Sequence, residues 1–253
     1  MKKLLLILLL LPTLAFAEKT IELNSKNTIN FNQAFSGPYI ASKQIEAINL
    51  CGKNVNSDIY IVAYTPGGSI SAGQLFFDTL KALPCKFHTL TIFSASMGYQ
   101  MTQNLGKRYI LPSGTLMSHR ASVSGISGEL GGELDAIIKN LTDSVTDLEI
   151  VASKRVGITL EAYRDAIRDE LWLTAEEAVK LNHADEIVLA KCDKSLMGTH
   201  IETVRTFFGS YKVEYSNCPI ITSPLRVVGS NSMDIEKVQD YVMNIRKRTQ
   251  ATL

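Results

Sequence analysis

Short apolar runs alternate along this chain with segments whose apolar residues recur at helical spacing. Patterns typical of buried strands occupy residues 28–31, 58–64, 87–93, 108–111 and 115–118, with a turn predicted at Pro112-Ser113-Gly114. Helical patterns occupy residues 40–50, 71–83, 98–105, 134–151, 159–167 and 174–181. Strands separated by helices need crossover connections, so the pattern predicts an α/β fold around a largely parallel sheet that is buried on both faces.

The longest helical pattern begins after a glycine-rich stretch, residues 125–132, and ends near Gly157. Its apolar stripe runs from Leu134 to Val151. A long helix that projects from a compact sheet usually buries such a stripe against another subunit. Packing on its own domain is the alternative, and the pattern alone leaves both open.

The pattern changes after Val188. Residues 200–208 and 211–215 are rich in β-branched and aromatic residues and flank Gly209-Ser210, which predicts a β-hairpin with its turn at that pair. An amphipathic helix is predicted at residues 233–248. We therefore expect a main domain at residues 18–190 and an extension, a hairpin plus a helix, at residues 191–253.

The first residues have the composition of a secretory signal peptide. Lys2-Lys3 precede an apolar run from Leu4 to Leu11, and Ala15-Phe16-Ala17 supplies the small residues of a cleavage site before Glu18. The run is short for a transmembrane anchor, and no cysteine follows the cleavage point to carry a lipid. We expect residues 1–17 to be removed and the mature protein to be periplasmic or secreted, without a membrane anchor.

Charge and composition narrow the function classes. The chain has 26 Lys and Arg against 25 Asp and Glu, and loss of Lys2 and Lys3 leaves 24 against 25. A charge this close to neutral argues against nucleic acid as the main partner. With 45% hydrophobic residues the chain can bury a substantial core. We expect no cofactor.

The four cysteines are an even number in a chain that we expect to be exported. Cys51 and Cys85 each follow a helical pattern and precede a strand, whereas Cys192 and Cys218 flank the predicted hairpin. Two disulfides, Cys51–Cys85 and Cys192–Cys218, are predicted from the three possible pairings. Four buried thiols are the alternative; a metal site is the weaker one, because no pair has the close spacing of a zinc knuckle.

Three stretches at strand ends could carry acyl-transfer chemistry. Ser96 stands in a corner of small residues between a strand and a helix, where its hydroxyl can project and the helix N-terminus can stabilise an oxyanion. Thr65-Pro66-Gly67-Gly68 ends the preceding strand, and Gly68 can present its N–H there. His119 follows the next strand and is the candidate base. If each stretch is considered alone, Ser96 is explained as a helix cap, and Gly67 and Gly68 are explained as a simple turn.

An orienting acid for the histidine is available in Asp169-Glu170, just before a predicted helix with a capping box. Either carboxylate could also be merely solvated. The remaining histidines, His88, His183 and His200, fall within a strand, in a loop and at the hairpin start, and are weaker candidates for catalysis.

The ordered set of motifs resembles the ClpP family, the proteolytic subunits of the Clp protease, within the ClpP/crotonase fold. The set comprises Pro-Gly-Gly, Ala-Ser-Met-Gly, a histidine about two dozen residues later, and an acid-x-aromatic-x-Thr-Ala segment, and the match covers about residues 28–188.

The resemblance implies a repeated β-β-α superhelix and a Ser-His-acid serine peptidase without cofactor or metal. Ser96 would be the nucleophile, His119 the base, and Gly68 and Met97 the oxyanion hole. The family's aspartate falls on Glu170, which we prefer to Asp169. The long helix matches the handle through which the family's heptameric rings stack, so a homo-oligomer that cleaves peptides is expected.

The chain departs from the family at several places. Ile92 stands where the family usually has glycine, and Arg120-Ala121 replaces Gln-Pro after the histidine. Because an exported compartment holds no ATP, we expect no ATPase partner and ATP-independent cleavage of peptides or unfolded proteins.

Three other hypotheses stay open at this point. One is a non-catalytic oligomeric scaffold that binds another exported protein. The second is a signal-peptide-peptidase-like Ser–Lys enzyme, for which Lys139 or Lys154 would have to reach Ser96. The third is a coenzyme-A-binding crotonase relative.

Overall fold

The computed structural model describes residues 19–123, 127–129, 131–206 and 209–228. The predicted signal peptide and the predicted C-terminal helix lie outside these residues. The described part confirms an α/β fold with a largely parallel sheet.

The central sheet has the strand order β2-β3-β4-β5-β6, with β7 paired to β5. Its strands are β2 (Thr28–Phe31), β3 (Asp58–Thr65), β4 (Lys86–Ala95), β5 (Arg108–Ser118), β6 (Leu171–Thr174) and β7 (Glu186–Ile187). Strands β2 to β5 and β7 run parallel, whereas β6 runs antiparallel to β5. The sequence pattern did not predict β6.

The helices are α1 (Gly37–Lys53), α2 (Ile70–Ala82), α3 (Met97–Asn104), α4 (Glu133–Val156), α5 (Leu160–Ala166) and α6 (Ala175–Lys180). Thr174 and Glu177 form the predicted capping box at the start of α6. Of the seven predicted helices, the six that fall within the described residues are present, with ends that differ from the prediction by a few residues.

Both faces of the sheet are covered, as the apolar strand patterns predict. Alternate residues of β3 show this directly: Ile59 and Ile61 face a core that includes Phe76 and Phe77 of α2, whereas Val62 faces a second cluster with Ile21 and Leu23. This second cluster is closed by a two-stranded parallel sheet of β1 (Thr20–Leu23) and β8 (Leu189–Cys192).

The predicted turn at Pro112-Ser113-Gly114 is wrong. These residues lie within one strand, β5, at an irregularity where Thr91 pairs with Ile110 but Phe93 pairs with Thr115. The extra residues bulge outward, with Pro112 and Ser113 exposed. Glycine at position 114 permits the bulge, because a Cβ there would lie 2.8 Å from the carbonyl oxygens of Leu111 and Thr91.

Both predicted disulfides are present, Cys51–Cys85 and Cys192–Cys218. The second joins β8 to the end of an antiparallel sheet formed by β9 (Thr199–Thr206), β10 (Gly209–Ser216) and β11 (Arg226–Val228). The hairpin is confirmed, but its turn is not at Gly209-Ser210, because Gly209 pairs with Thr206 inside the ladder. The sequence pattern did not predict β11.

Helix α4 divides into two halves. Its buried residues, among them Leu148, Ala152 and Val156, all belong to the C-terminal half. Residues 133–143 contain no buried side chain, and Ile138 is 48% exposed. The described part of the chain therefore covers the apolar stripe of the first turns only in part, since Leu134, Ile137 and Leu141 are half-buried. No helix in the described ranges is long and apolar enough to cross a membrane.

Candidate active site

The parallel strands bring three predicted stretches to one edge of the sheet. Strand β4 lies between β3 and β5, and all three run in the same direction. The loop after Thr65, the corner at Ser96 and the segment after Ser118 therefore meet at the carboxyl edge, where α/β sheets usually hold their sites.

Ser96 occupies a strained corner between β4 and α3. Its φ is 55°, a value that non-glycine residues seldom adopt, and it stands at the N-cap of α3. The Ser96 N–H donates to the Met117 carbonyl at 2.9 Å, which fixes the corner against β5. Its Oγ lies 2.8 Å from His119 Nε2, a hydrogen-bond distance between a nucleophile and a base.

The loop after β3 is pressed against this corner. Gly67 has a φ of 96°, and a Cβ on it would lie 2.6 Å from the Ser96 Cβ and 2.8 Å from the Met97 nitrogen. Two backbone hydrogen bonds to Phe35 hold the loop in place. The Phe35 N–H donates to the Gly67 carbonyl, and the Phe35 carbonyl accepts from the Ser69 N–H. Only glycine at position 67 allows this approach.

Two backbone N–H groups at the corner are free to bind an oxyanion. The N–H groups of Gly68 and Met97 donate to no carbonyl or side chain of the described residues. Met97 is the first residue of α3, where N–H groups have no partner within the helix. Gly68, Ser96, Met97 and His119 all line one cleft of about 190 Å³.

His119 is half-buried, and its surroundings favour the neutral ring. Burial lowers the pKa of His119 from its ordinary value of 6.5, whereas the charge of Glu170 acts in the opposite direction. A ring that is neutral near pH 7 can accept the Ser96 proton at Nε2, and the carboxylate favours the imidazolium that then forms.

The carboxylate that acts on His119 through its charge is that of Glu170. Ser118 pairs with Leu171 at the end of the antiparallel β5–β6 ladder, so His119 and Glu170 are the residues that flank its last pair. Asp169 lies one residue farther from the ladder. Both acids are exposed, and Glu170 has a φ of 67°.

The carboxylate of Glu170 is held by a residue that the sequence analysis did not single out for a role. Trp172 donates its indole N–H to Glu170 Oε2 at 3.0 Å. Gly67 was likewise missed, although its place in the Pro-Gly-Gly motif was the available signal. The signal for Trp172 was its position as the aromatic residue of the acid-x-aromatic motif.

The other candidate bases lie elsewhere. His88 bonds to Asp58, and His200 to Asn217 and Glu202. His183 is buried against the Tyr99 hydroxyl at 2.6 Å. None of the three lines the Ser96 cleft.

The lysines of the Ser–Lys hypothesis are also placed elsewhere. Lys139 pairs with Asp143 on the exposed surface of α4, and Lys154 is exposed on the same helix. Neither lines the cleft that contains Ser96.

The remainder of the cleft has mixed polarity. Apolar side chains of Ile70, Val145 and Leu148 line it together with Gln100 and Glu149. Glu149 is buried and bonded to Arg164 at 2.6 Å. Helix α4 thus supplies one wall of the space beside Ser96.

Comparisons with known proteins identify the family of the chain. The sequence profile described as Clp protease matches residues 19–191. The ATP-dependent Clp protease proteolytic subunit 3 of Streptomyces coelicolor is 33% identical over 148 residues, which span 57% of this chain and 67% of that protein. The ATP-dependent Clp protease proteolytic subunit 1 of Streptomyces avermitilis is 32% identical over 143 residues, 55% of this chain and 64% of that protein. The ATP-dependent Clp protease proteolytic subunit of Streptococcus sanguinis is 30% identical over 135 residues, 52% of this chain and 68% of that protein.

The matched segment contains the serine corner, the glycine loop, His119 and Glu170. It spans most of the chain, and the alignments cover about two thirds of each relative's length. The chain therefore belongs to the Clp protease family and is a serine peptidase of the ClpP type.

Proposed function

We propose that this protein is an exported, ATP-independent serine endopeptidase that cleaves peptides or unfolded proteins through Ser96, His119 and Glu170. The observation that carries the assignment of the residues is the 2.8 Å contact between Ser96 Oγ and His119 Nε2. This contact lies in a cleft that the free N–H groups of Gly68 and Met97 also line.

In the proposed acylation step, Ser96 Oγ attacks the peptide carbonyl carbon while His119 Nε2 takes the hydroxyl proton. The carbonyl oxygen becomes an oxyanion and accepts hydrogen bonds from Gly68 and Met97. His119 then gives its proton to the leaving amine as the C–N bond breaks, which leaves an acyl group on Ser96.

Deacylation repeats the sequence with water. His119 takes a proton from a water molecule that attacks the acyl carbon, and the carboxylic acid product leaves as the proton returns to Ser96. Glu170 stabilises the imidazolium in both steps through its negative charge.

Two features support export. Residues 1–17 have the composition of a signal peptide, and both cysteine pairs are disulfides, which persist in oxidising compartments. The relatives named above are ATP-dependent enzymes by their names. In a compartment without ATP, access to the site would depend on substrates that are already short or unfolded.

The exposed half of α4 supports a homo-oligomer. The described chain covers the apolar side chains of residues 133–143 only in part, and Ile138 among them is exposed. The C-terminal half of the helix begins beside the cleft, where Val145 and Leu148 line the wall. If α4 packed against a second copy of the protein, its apolar stripe would be buried and the cleft wall that it forms would be more rigid.

Cleavage of fluorogenic peptides and of reduced, unfolded casein, with and without ATP, tests the proposal. The mature oxidised protein should cleave both at rates that ATP does not change. Ser96→Ala should abolish cleavage and keep the oligomer seen by light scattering. Ser94→Ala, which alters a buried serine two residues earlier on β4, is the matched control and should retain activity.

Cleavage that survives in Ser96→Ala would overturn the nucleophile assignment. Cleavage that requires ATP would overturn the proposed independence. Fractionation of cells that express the full chain tests export, and a protein that stays in the cytoplasm with residues 1–17 attached would contradict it.

A further inference from the structure

The third triad position differs chemically from the aspartate that the family resemblance leads one to expect. Glu170 has one more methylene than aspartate, and therefore one more rotatable bond to fix before its carboxylate can act on His119. Its side chain is exposed, so packing does not fix it. Some other contact has to hold this carboxylate in place.

Trp172 supplies such a contact. The β5–β6 ladder pairs Trp172 with Met117 and ends at the pair Ser118–Leu171, so His119 and Glu170 flank its last pair. The charge of Glu170 acts on His119 from there. The indole N–H of Trp172 reaches Glu170 Oε2 at 3.0 Å, within normal hydrogen-bond range.

The indole is itself anchored. Its ring stacks on Phe93 with centroids 6.3 Å apart and an interplanar angle of 30°. Phe93 is buried with Ala95 and Met117 directly behind the serine corner. Trp172 belongs to β6 and its ring packs against Phe93 of β4, the strand that leads into the Ser96 corner. The indole therefore links Glu170 to the sheet behind Ser96.

The hydrogen bond from Trp172 occupies one carboxylate oxygen of Glu170 and leaves the other oxygen for His119. When His119 Nε2 accepts the serine proton, Nδ1 carries a hydrogen and needs an acceptor. Ser96 is the only hydrogen-bond partner of His119 among the described residues. A carboxylate accepts at both oxygens, so Oε1 remains for Nδ1–H while Trp172 holds Oε2.

We propose that Trp172 is the positioning residue of this triad, acting through its indole N–H to hold Glu170 opposite His119. The inference rests on the proposed role of Glu170. It goes beyond that role because it makes Glu170 and Trp172 a functional pair. In this pair, the glutamate carboxylate depends on the indole N–H of Trp172, two residues later, for its position.

The chain offers a clean way to remove the donor. Trp172 is the only tryptophan, so growth on β-(3-benzothienyl)alanine replaces its N–H by sulfur and leaves the ring shape nearly unchanged. Trp172→Phe removes the same donor by mutation and keeps an aromatic ring against Phe93. Agreement between the two separates loss of the donor from loss of packing.

The experiment measures kcat/KM for a fluorogenic peptide against pH in five proteins: wild type, the sulfur analogue, Trp172→Phe, Glu170→Gln and the double variant. Trp172→Phe and the sulfur analogue should each lower kcat/KM about fivefold or more, as expected for loss of a hydrogen bond to a charged group. In the Glu170→Gln background Trp172→Phe should change kcat/KM less than about twofold, because the donor then has no carboxylate to hold.

The pH profile supplies the readout that a merely structural tryptophan would not change. The acidic limb of kcat/KM should move to lower pH in Trp172→Phe, toward its position in Glu170→Gln, because His119 loses part of the carboxylate's effect. Equal losses in both backgrounds with an unchanged limb would overturn the inference and leave the triad intact. If Glu170→Gln itself leaves kcat/KM unchanged, the proposed role of Glu170 falls, and the inference about Trp172 falls with it.

Discussion

Gly67 gives a strict test of the site geometry, because it is neither a triad member nor an oxyanion donor. A Cβ at position 67 would lie 2.6 Å from Ser96 Cβ, 2.7 Å from the Ala95 carbonyl oxygen and 2.8 Å from the Met97 nitrogen. Ordinary contact begins at 3.4 Å, so these atoms must separate by up to about 0.8 Å. Two of the three are backbone atoms, which cannot rotate away.

The cost of Gly67→Ala has two parts. A φ of 96° costs an alanine about 1–2 kcal/mol, and forcing the Cβ into a packed corner costs about 1–3 kcal/mol more. Displacement of Ser96 and Met97 by a sizeable part of an ångström should also lower kcat/KM by on the order of 100-fold. We therefore expect a loss of both stability and activity.

Gly157→Ala is the matched control. Gly157 has a φ of 88°, but its added Cβ would meet only Asn182 Nδ2, at 3.9 Å. It should lose only the conformational part, about 1–2 kcal/mol, and keep its activity. The assay is urea unfolding together with kcat/KM for a fluorogenic peptide. Equal losses of stability and equal activity in the two variants would refute the close approach of Gly67 to the serine corner.

Three further predictions concern protonation and the disulfides. Because burial lowers the pKa of His119 from its ordinary value of 6.5, the acidic limb of kcat/KM should have its midpoint below pH 6.5, and a midpoint above pH 6.5 would contradict this. Burial also lowers the pKa of His183 to about 4. Between pH 6.5 and 4, this histidine is therefore protonated in the unfolded state but neutral in the folded state. The wild type should thus lose about 3 kcal/mol of unfolding free energy as pH falls through that window, whereas His183→Gln should not show this dependence in urea titrations. Replacing Cys192 and Cys218 by serine opens a loop with a sequence separation of 26 and should cost about 3–4 kcal/mol, and an unchanged urea midpoint would speak against it.

The main features of the site could be predicted from the sequence because parallel strands impose them. The predicted strands 58–64, 87–93 and 115–118 come shortly before Thr65, Ser96 and His119, so these three residues must reach one edge of the sheet if the strands are parallel and adjacent. Local spacing and the α/β alternation were enough for that conclusion. The disulfide pairing followed similarly, from where each cysteine stands relative to a helix, a strand or a hairpin.

The features that were missed depend on long-range pairing. Residues 171–174 are too few to show a strand pattern, so neither β6 nor the β5–β6 ladder that ends next to Glu170 and His119 was predicted. Strand β1 pairs with β8 across most of the chain, a partner that no local pattern reveals. Pro112 and Gly114 favour a turn locally, but pairing of β5 with β4 on both sides kept them in a bulged strand.

Close approaches between segments were also beyond the sequence pattern. The sequence indicated a free N–H at Gly68, but it did not show that Gly67 contacts the serine corner. Similarly, the sequence shows Trp172 only as the aromatic residue of a motif, and its hydrogen bond to Glu170 is visible only in the structure. Such roles are set by the three-dimensional arrangement of separate loops.

The most direct test of the central claim is labelling of the folded, oxidised protein with a fluorophosphonate probe, read by intact mass. We expect one label per chain on wild-type protein and none on Ser96→Ala, because the hydroxyl is activated by His119 at 2.8 Å. A well-folded protein that takes no label, or equal labelling of the Ser96→Ala variant, would contradict an activated nucleophile at Ser96.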